Sequence, residues 1–291
     1  MNLATPDFTA YIDRITQQLD LALESHPAVD SLKTAMSYSL LGGGKRFRAI
    51  LVYAIGDWLQ ANEHLLNQCA CAIEMIHAFS LIHDDLPAMD DDILRRGQAT
   101  CHVKFNEATA ILAGDALQTL AFEVLSRGNI PEKQLAMVHC LAKASGAAGM
   151  AGGQWLDVHP DNEIIDIVSL EHMHQLKTGC LIEVAAQLAW LASDNDNTNL
   201  QRGLIQYARY LGLAFQIYDD VLDATSCTET LGKSSQQDQR HHKITYVSLL
   251  GLERAKNKAA ETADFAKSAI NEFDPPDFLL ELADWVVSRQ N

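Results

Sequence analysis

Apolar residues recur at helical spacing along almost the whole chain. Three stretches are apolar nearly all round the helical circumference, residues 69–83, 179–193 and 203–223, which predicts helices in the interior of the protein. The sustained alternation of apolar and polar residues that is typical of strands does not occur. Glycine and proline breaks separate the helical stretches without forming a linker that would divide the chain. The pattern therefore predicts a single all-α domain over residues 1–291, with about ten or more helices.

One long polar stretch, residues 224–243, breaks this helical pattern. It is longer than most connections between helices, and loops of such length are often functional. We predict that it is a loop that closes over the active site as a lid. Its two lysines, Lys233 and Lys243, would then be available to a bound anion.

The composition is that of a globular protein with a full core, since 48% of the residues are apolar and 21% are charged. Lys and Arg number 22 against 38 Asp and Glu, which gives a formal net charge of −16. This charge argues against a nucleic-acid partner, because the phosphate backbone requires a basic surface. Any anionic substrate must instead meet a local cluster of basic side chains.

The six cysteines and the beginning of the chain both indicate a cytoplasmic protein. The cysteines lack the paired spacing of a zinc site, which predicts buried free thiols in a reducing compartment. Residues 1–7 contain neither a basic start nor an apolar run, so a secretory signal is not expected there. No uncharged apolar stretch approaches the roughly 18–20 residues of a membrane span.

A first acidic cluster contains Asp84, Asp85 and the run Asp90 to Asp92. On a straight helix, the six residues from Asp84 to Asp90 correspond to about 600° of rotation, so the two side chains would point in different directions. Pro87 disfavours continuation of the helix and tends to end it just before. We therefore predict that the chain curls here and returns Asp90 to the side of Asp84.

A second acidic cluster contains Asp219, Asp220 and Asp223, where the spacing of four residues places Asp219 and Asp223 on one helix face. Clustered carboxylates repel one another unless a cation lies between them, and Mg²⁺ prefers such oxygen ligands together with substrate phosphates. A solvated acidic turn explains one such cluster equally well but explains two less well. Neither cluster has the loop pattern of an EF-hand.

Several basic segments could bind the phosphates of such a substrate. The run Gly42 to Arg48 leads into an apolar helix predicted to begin near residue 47, and a helix N-terminus after glycines suits phosphate, although the spacing is not that of a Walker loop. Arg95 and Arg96 could bind phosphate in bidentate fashion, or could simply balance the neighbouring aspartates. Lys177 precedes another apolar helix.

Together these motifs resemble those of the trans-isoprenyl diphosphate synthases, and most closely those of the bacterial members that make farnesyl diphosphate. The resemblance extends from about residue 30 to residue 250. It is carried, in the order of the chain, by Gly43-Gly44-Lys45-Arg46 with Arg48, His83 to Asp90, Leu94 to Gly97, Gly152 to Gln154, Lys177 to Gly179, and Phe215 to Asp223.

The resemblance implies an isoprenoid-synthase-type bundle of helices around a deep central cavity, usually a homodimer, with the two aspartate motifs on facing helices. It also implies Mg²⁺-dependent head-to-tail condensation of isopentenyl diphosphate with an allylic diphosphate, either dimethylallyl or geranyl diphosphate. No side chain stands out as a general base, and the resemblance suggests that the released diphosphate takes the proton.

The resemblance assigns roles to individual residues. A Mg²⁺ cluster, in which Mn²⁺ could substitute, would bridge the allylic diphosphate to Asp84, Asp90 and Asp219, with Asp85, Asp220 and Asp223 in support. Arg95, Lys177 and Lys233 would contact that diphosphate, and Lys243 could join them, although the sequence around it departs from the family pattern. Thr178 and Gln216 would present oxygen dipoles to the cation. Isopentenyl diphosphate would be bound by Lys45, Arg48, His77 and Arg96.

Product length should depend on residues about one turn before Asp84. Phe79 is bulky and Ser80 is small, so we predict that Phe79 is the floor of the pocket and that the product has fifteen carbons; ordinary core packing is the alternative role of Phe79. Three other activities remain open: a geranylgeranyl diphosphate synthase, a non-catalytic regulatory subunit of a prenyl synthase, and a terpene cyclase or head-to-head synthase.

Two further segments allow two interpretations each. The glycines between Gly149 and Gly153 could permit close packing either against substrate or between helices. Arg289 could cover the isopentenyl diphosphate, but an exposed and frayed chain end is the simpler expectation.

Overall fold

A computed structural model describes residues 7–159, 166–229 and 244–289, and it confirms the all-α prediction. Fourteen α-helices are present in these ranges: α1 Thr9–Ser25, α2 Asp30–Leu40, α3 Phe47–Trp58, α4 Glu63–Asp84, α5 Cys101–Lys104, α6 Glu107–Ser126, α7 Pro131–Ser145, α8 Met150–Val158, α9 Ile167–His174, α10 Cys180–Ala192, α11 Thr198–Glu229, α12 Tyr246–Leu250, α13 Leu252–Ile270 and α14 Asp277–Val286. A π-helical turn, Gln175–Gly179, joins α9 to α10, and a 3₁₀ turn, Asn271–Phe273, follows α13.

The helices group into two compact units. Among the described residues, the first unit contains residues 7–142 and 188–195, and the second contains residues 143–159, 166–187, 196–229 and 244–289. The prediction of one domain over residues 1–291 stays a prediction.

The first unit is built around α4. Asn62 caps this helix by accepting a hydrogen bond from the Leu65 N–H, and the helix packs against α3 and α6. Because the sequence is apolar on nearly every side, the helix is buried along most of its length, which confirms the prediction for residues 69–83. Cys69 and Cys71 lie in this core as free thiols, and burial raises the pKa of both.

Two helices, α4 and α6, are long and apolar enough by length and composition to cross a membrane. Both helices contain carboxylates, Glu74 in α4 and Asp115 in α6 among them, so neither is an uncharged apolar stretch of that length. In α4, 72% of the apolar window is buried inside the structure, as in the core helix of a globular unit; in α6 the share is 44%.

The second unit is organised by α11 and α13, which pack along one another. Its core consists of Leu170, Met173, Ile217, Val221, Tyr246, Ala255 and Ala259. Because α11 continues to Glu229, residues 224–229 are helical, and the prediction of a loop from residue 224 is wrong for this part. Residues 230–243, with Lys233, Lys243 and most of the predicted lid, lie outside the described residues.

A short β-hairpin, with two residues in each strand, follows α4. The sequence analysis did not predict it. Strand β1, Leu94–Arg95, pairs antiparallel with β2, Gln98–Ala99. Arg96 and Gly97 form the turn with φ of 52° and 76°, the pair of positive values that a type I′ hairpin turn requires. The hairpin contains both Arg95 and Arg96, directly after the first acidic cluster.

Candidate active site

The first acidic cluster has the backbone arrangement that the sequence predicts. Helix α4 ends at Asp84, three residues before Pro87. The chain then turns back, and the Asp90 N–H donates a hydrogen bond to the Asp84 carbonyl at 2.9 Å. Asp91, with φ of 53°, and its hydrogen bond to the Leu86 carbonyl complete this turn. Asp84 and Asp90 are therefore neighbours in space.

Asp85 is engaged by Arg95. Its side chain is buried, and its carboxylate accepts hydrogen bonds from Arg95 Nε at 2.7 and 3.0 Å and lies 2.5 Å from Arg95 Nη2. Burial raises the pKa of Asp85, and the Arg95 guanidinium opposes this rise. The supporting role of Asp85 toward a metal stays a prediction; in the structure it anchors the hairpin to the end of α4.

Arg96 rests on the glycine turn that precedes α3. Its Nη1 donates a hydrogen bond to the Gly43 carbonyl. A Cβ at Gly44 would lie 2.5 Å from Arg96 Cζ, and Gly44 has φ of +114°. The backbone conformation therefore favours glycine at this position, and an added Cβ would displace the Arg96 guanidinium.

A cavity in the first unit is basic and contains His77. Its lining includes Arg46, His77, Asp85, Arg95 and Arg96. Burial lowers the pKa of His77 well below its usual value, and the charges of the surrounding arginines, Arg48 among them, lower it further. His77 is therefore a neutral hydrogen-bonding group at pH 7 among cationic side chains. The structure thus brings three of the four residues predicted for isopentenyl diphosphate together, and Lys45 lies exposed on the adjoining turn.

A buried ion pair that sequence reasoning missed supports this cavity. Arg46 Nη1 lies 3.2 Å from Glu74 Oε2, and both side chains are almost fully buried. Arg46 also donates to the Leu40 carbonyl, and Glu74 accepts from the Ala49 N–H at the start of α3. The available signal was the single carboxylate of Glu74 within the otherwise apolar stretch 69–83, since a buried charge requires a partner.

In the second unit, the aspartates of α11 have different surroundings. Asp220 accepts a hydrogen bond from the Tyr246 N–H at 2.7 Å, and burial raises its pKa to about 7, with the charges of nearby carboxylates adding to the rise. Asp223, one turn further along, is exposed. Asp219 forms an ion pair with Arg289.

Arg289 is one of the most buried charged residues of the second unit, with 4% of its surface exposed. The expectation of a frayed chain end is therefore wrong. Sequence patterns could not reveal this, because the partner of Arg289 lies 70 residues earlier.

Lys177 lies in the π-helical turn, and its Nζ donates to Asp157 Oδ2 of α8 at 2.6 Å. The turn lies so close to α8 that a Cβ on Gly153 would be only 2.1 Å from the Lys177 backbone nitrogen. This close approach decides between the two interpretations of Gly153, which serves packing between these two elements. Thr178 follows Lys177 in the same turn and is half-buried.

Comparison with known proteins identifies the family. The family model for polyprenyl synthetase matches residues 29–273. The chain belongs to the polyprenyl synthetase family. It is 44% identical over 300 residues to a farnesyl diphosphate synthase of Escherichia coli, with 97% of this chain and 99% of the relative covered. A farnesyl diphosphate synthase of Haemophilus influenzae is 46% identical over 286 residues, covering 96% and 95%.

Proteins whose names give other products are also similar to this member of the polyprenyl synthetase family. Geranylgeranyl pyrophosphate synthase 3 of Arabidopsis thaliana is 41% identical over 297 residues, covering 98% of this chain and 82% of the relative. A solved geranyltransferase structure from Legionella pneumophila has a TM-score of 0.87 and 34% identity, covering 96% and 95%. An FPP/GFPP synthase structure from Zymomonas mobilis has a TM-score of 0.84 and 36% identity, covering 97% and 99%. These likenesses confirm the isoprenoid synthase fold.

The donors of this polyprenyl synthetase fit a metal that is shared with a substrate. Among the described residues, no group of three or more His, Cys, Asp or Glu is arranged to hold a metal ion without other ligands. Mg²⁺ is typically held by one or two carboxylates together with substrate phosphates and water, so paired aspartates suit it. Asp85, Asp219 and Asp220 each accept a hydrogen bond from the protein, and which of the six predicted aspartates bind the metal stays a prediction.

The last of the predicted residues are Gln216, Phe79 and Ser80. Gln216 Nε2 lies 3.1 Å from His174 Nδ1, and His174 stacks on Tyr246. Phe79 is half-buried with its ring edge against His83, and the Ser80 hydroxyl donates to the His77 carbonyl. Neither Phe79 nor Ser80 lines the basic cavity. The roles of Gln216 in catalysis and of Phe79 in product length stay predictions.

Proposed function

We propose that this protein is a farnesyl diphosphate synthase, which joins isopentenyl diphosphate head to tail with dimethylallyl and then geranyl diphosphate. The observation that carries the proposal is the basic cavity around His77 and Arg96, in addition to the two aspartate groups. Condensation of two diphosphates requires a second, metal-independent anion site of this kind. A terpene cyclase binds only one diphosphate and does not require a second anion site.

In this proposal Asp84, Asp90 and Asp219 hold Mg²⁺ together with the allylic diphosphate, with Asp85, Asp220 and Asp223 in support, and Mn²⁺ could replace it. When bound, Mg²⁺ stabilises the negative charge that develops on the departing diphosphate. Arg95 and Lys177 contact the same diphosphate, and each has a carboxylate partner in the structure that helps to orient it. Thr178 and Gln216 present polar atoms to the allylic cation.

Isopentenyl diphosphate is bound by Lys45, Arg48, His77 and Arg96. The glycine turn fixes Arg96, since Gly43 accepts its hydrogen bond and Gly44 leaves room for its guanidinium. His77 adds a hydrogen bond without adding charge, because its surroundings keep it neutral. The arginines supply the charge that offsets the acidic background of the chain.

The bond changes balance without a protein base. The allylic C–O bond breaks and both electrons leave with the diphosphate. The double bond of isopentenyl diphosphate then forms the new C–C bond to the allylic carbon, and a proton passes from the product cation to the released diphosphate. Water must be excluded meanwhile, because it would capture the cation as an alcohol. The apolar residues of α4 provide water-excluding walls.

We also propose that the protein is a cytoplasmic homodimer. Helix α6 is strongly apolar but only partly buried, with Ile111 and Leu112 respectively 43% and 57% exposed, and Val103 of α5 is 50% exposed. Several large apolar side chains exposed on two consecutive helices are typical of an interface. Leu112→Glu should increase the monomer fraction in sedimentation velocity, whereas Gln17→Glu, at an exposed position of α1, should not; an unchanged Leu112→Glu assembly would exclude this surface.

Product analysis tests the proposed function. The protein is incubated with radiolabelled isopentenyl diphosphate, dimethylallyl diphosphate and Mg²⁺, and the products are separated by chain length. We expect farnesyl diphosphate. A twenty-carbon product would support a geranylgeranyl diphosphate synthase instead, as in the plant relatives, and no consumption of isopentenyl diphosphate would support a cyclase or a non-catalytic subunit.

A further inference from the structure

We propose that Arg289 is a positioning residue that orients the Asp219 carboxylate for Mg²⁺-diphosphate; this inference rests on the proposed function. Arg289 follows the last helix, α14, and its backbone N–H donates to the Trp285 carbonyl at 2.9 Å. Its Nη1 also donates to the Val286 carbonyl. The end of α14 is therefore closed by Arg289 itself, which fixes the starting point of the side chain.

From this anchor the guanidinium reaches across to α11. Its Nη2 donates to the Phe215 carbonyl at 3.1 Å and to Asp219 Oδ1. Its Cζ lies 3.9 Å from the centre of the Phe215 ring and 5.4 Å from that of Tyr218. The planar group is thus held by stacking and by hydrogen bonds to both helices, so it presents its donor to Asp219 in one orientation.

The two partners differ in their access to solvent. Only 1% of the Arg289 side chain is exposed, against 40% of the Asp219 side chain. One oxygen of the carboxylate is thus held from the interior, while the exposed part of Asp219 remains accessible to a ligand. A residue that donates a hydrogen bond to a metal-binding carboxylate, on the side away from the metal, fixes the orientation of that carboxylate and commonly affects metal affinity.

The positive charge also offsets repulsion within the acidic cluster. Asp219, Asp220 and Asp223 lie within about one turn of α11, and Asp157 of α8 adds a fourth carboxylate nearby. Lys177 is paired with Asp157, and Arg289 is the cation that the structure places on Asp219. Without it, the Asp219 side chain would turn away from its neighbours and would have to be reoriented when the ligand binds.

The experiment measures binding of Mg²⁺ with inorganic pyrophosphate by isothermal titration calorimetry on the full chain, in wild type, Arg289→Gln and Arg289→Lys. Because loss of a partner that supports a metal ligand typically weakens affinity by about 10–100-fold, we expect Kd to rise at least about 10-fold in Arg289→Gln. Lysine restores the charge but lacks the planar guanidinium that is held against Phe215, so Arg289→Lys should bind more tightly than Arg289→Gln but measurably more weakly than wild type.

Steady-state kinetics separates positioning of Asp219 from contact with isopentenyl diphosphate. Arg289→Gln should raise the Mg²⁺ requirement and the KM for the allylic diphosphate while leaving the KM for isopentenyl diphosphate unchanged. A double mutant with Asp219→Asn should bind no more weakly than Asp219→Asn alone, because Arg289 then has nothing left to orient. If only the KM for isopentenyl diphosphate rises, Arg289 covers that substrate and the inference is wrong.

Lys267→Gln is the matched control. Lys267 also ties α14 to the unit, through an ion pair with Asp284 at 2.6 Å, and it forms a second ion pair with Asp264 of α13. An equal loss of pyrophosphate affinity in Lys267→Gln would show that Arg289 merely docks the helix. Should Arg289→Gln not fold by circular dichroism, Arg289→Lys carries the test, and wild-type affinity for it together with an unchanged Mg²⁺ requirement contradicts the proposal.

The two proposals can fail separately. Wild-type protein that binds Mg²⁺-pyrophosphate but makes no prenyl product would refute the proposed function, while the affinity of the Arg289 variants would still decide the role of Arg289. Wild-type protein that condenses substrates, with unchanged pyrophosphate affinity in Arg289→Gln, would refute only the role of Arg289.

Discussion

At the scale of single residues, two basic side chains predicted to bind diphosphate form ion pairs with carboxylates of the same unit. Asp85 pairs with Arg95, and Lys177 pairs with Asp157. A Mg²⁺-diphosphate carries both signs of charge, so it can take the place of these internal partners. The ion pairs therefore restrict the orientations of Arg95 and Lys177, which reduces the ordering cost of binding.

His77 gives a pH-dependent test at this scale. Its pKa in the folded chain lies well below 6.5, chiefly because of burial and then because of the neighbouring arginines. As pH falls through 6.5, the unfolded chain takes up a proton that folded His77 does not, so the free energy of unfolding must decrease, by at most about 1.4 kcal/mol per pH unit.

Denaturant unfolding between pH 7.5 and 5 measures this contribution. His77→Gln should lose less stability than wild type over that interval, and His64→Gln, an exposed histidine on the same helix, should behave like wild type. Equal pH slopes in wild type and His77→Gln would mean that His77 titrates normally.

At the scale of elements, the sequence predicts local features better than partners that are distant along the chain. The turn from Asp84 to Asp90 follows from Pro87 and was predicted, because proline acts on its immediate neighbours. The pairing of Arg289 with Asp219 was not, because it depends on how helices pack. The π-helical turn at Lys177 was also missed, since apolar spacing does not distinguish an α-helical turn from a π-helical one.

The contact of α8 with the π-helical turn can be tested at Gly153. Gly→Ala inside a helix normally stabilises it by up to about 1 kcal/mol. Here the added Cβ would lie 2.1 Å from the Lys177 nitrogen, so Gly153→Ala should instead destabilise by about 1–3 kcal/mol and should lower turnover by displacing Lys177.

Thermal and denaturant unfolding with parallel rate measurements check this prediction. Ala151→Ser, an exposed position on the same helix, is the control and should change neither quantity much. A stabilised and fully active Gly153→Ala variant would show that the close approach has no role in the site.

Product length is also a property of an element, because the growing chain is proposed to run along α4. Phe79 lies five residues before Asp84, so Phe79→Ala should lengthen the pocket and shift products from fifteen toward twenty or more carbons. Chromatography of the prenyl products measures this shift, with Phe105→Ala as a control for loss of an aromatic residue elsewhere. Unchanged fifteen-carbon product would mean that Phe79 is core packing.

At the scale of the whole molecule, each compact unit contains one acidic group. Asp84 and Asp90 belong to the first unit, and Asp219 and Asp223 belong to the second. With a net charge of −16, the protein can bind substrates that are themselves anionic only through local cations and a bridging metal. The proposed function therefore requires both groups, and neither should suffice alone.

Transfer of radiolabelled isopentenyl diphosphate into prenyl product, followed while Mg²⁺ is removed with EDTA and then restored, tests this account most directly. Wild-type product formation should stop on complete removal and resume with excess Mg²⁺. Asp84→Ala and Asp219→Ala should each lose more than about 100-fold in turnover while keeping the native circular dichroism spectrum. Condensation that continues without divalent metal, or full activity in either variant, would contradict the account.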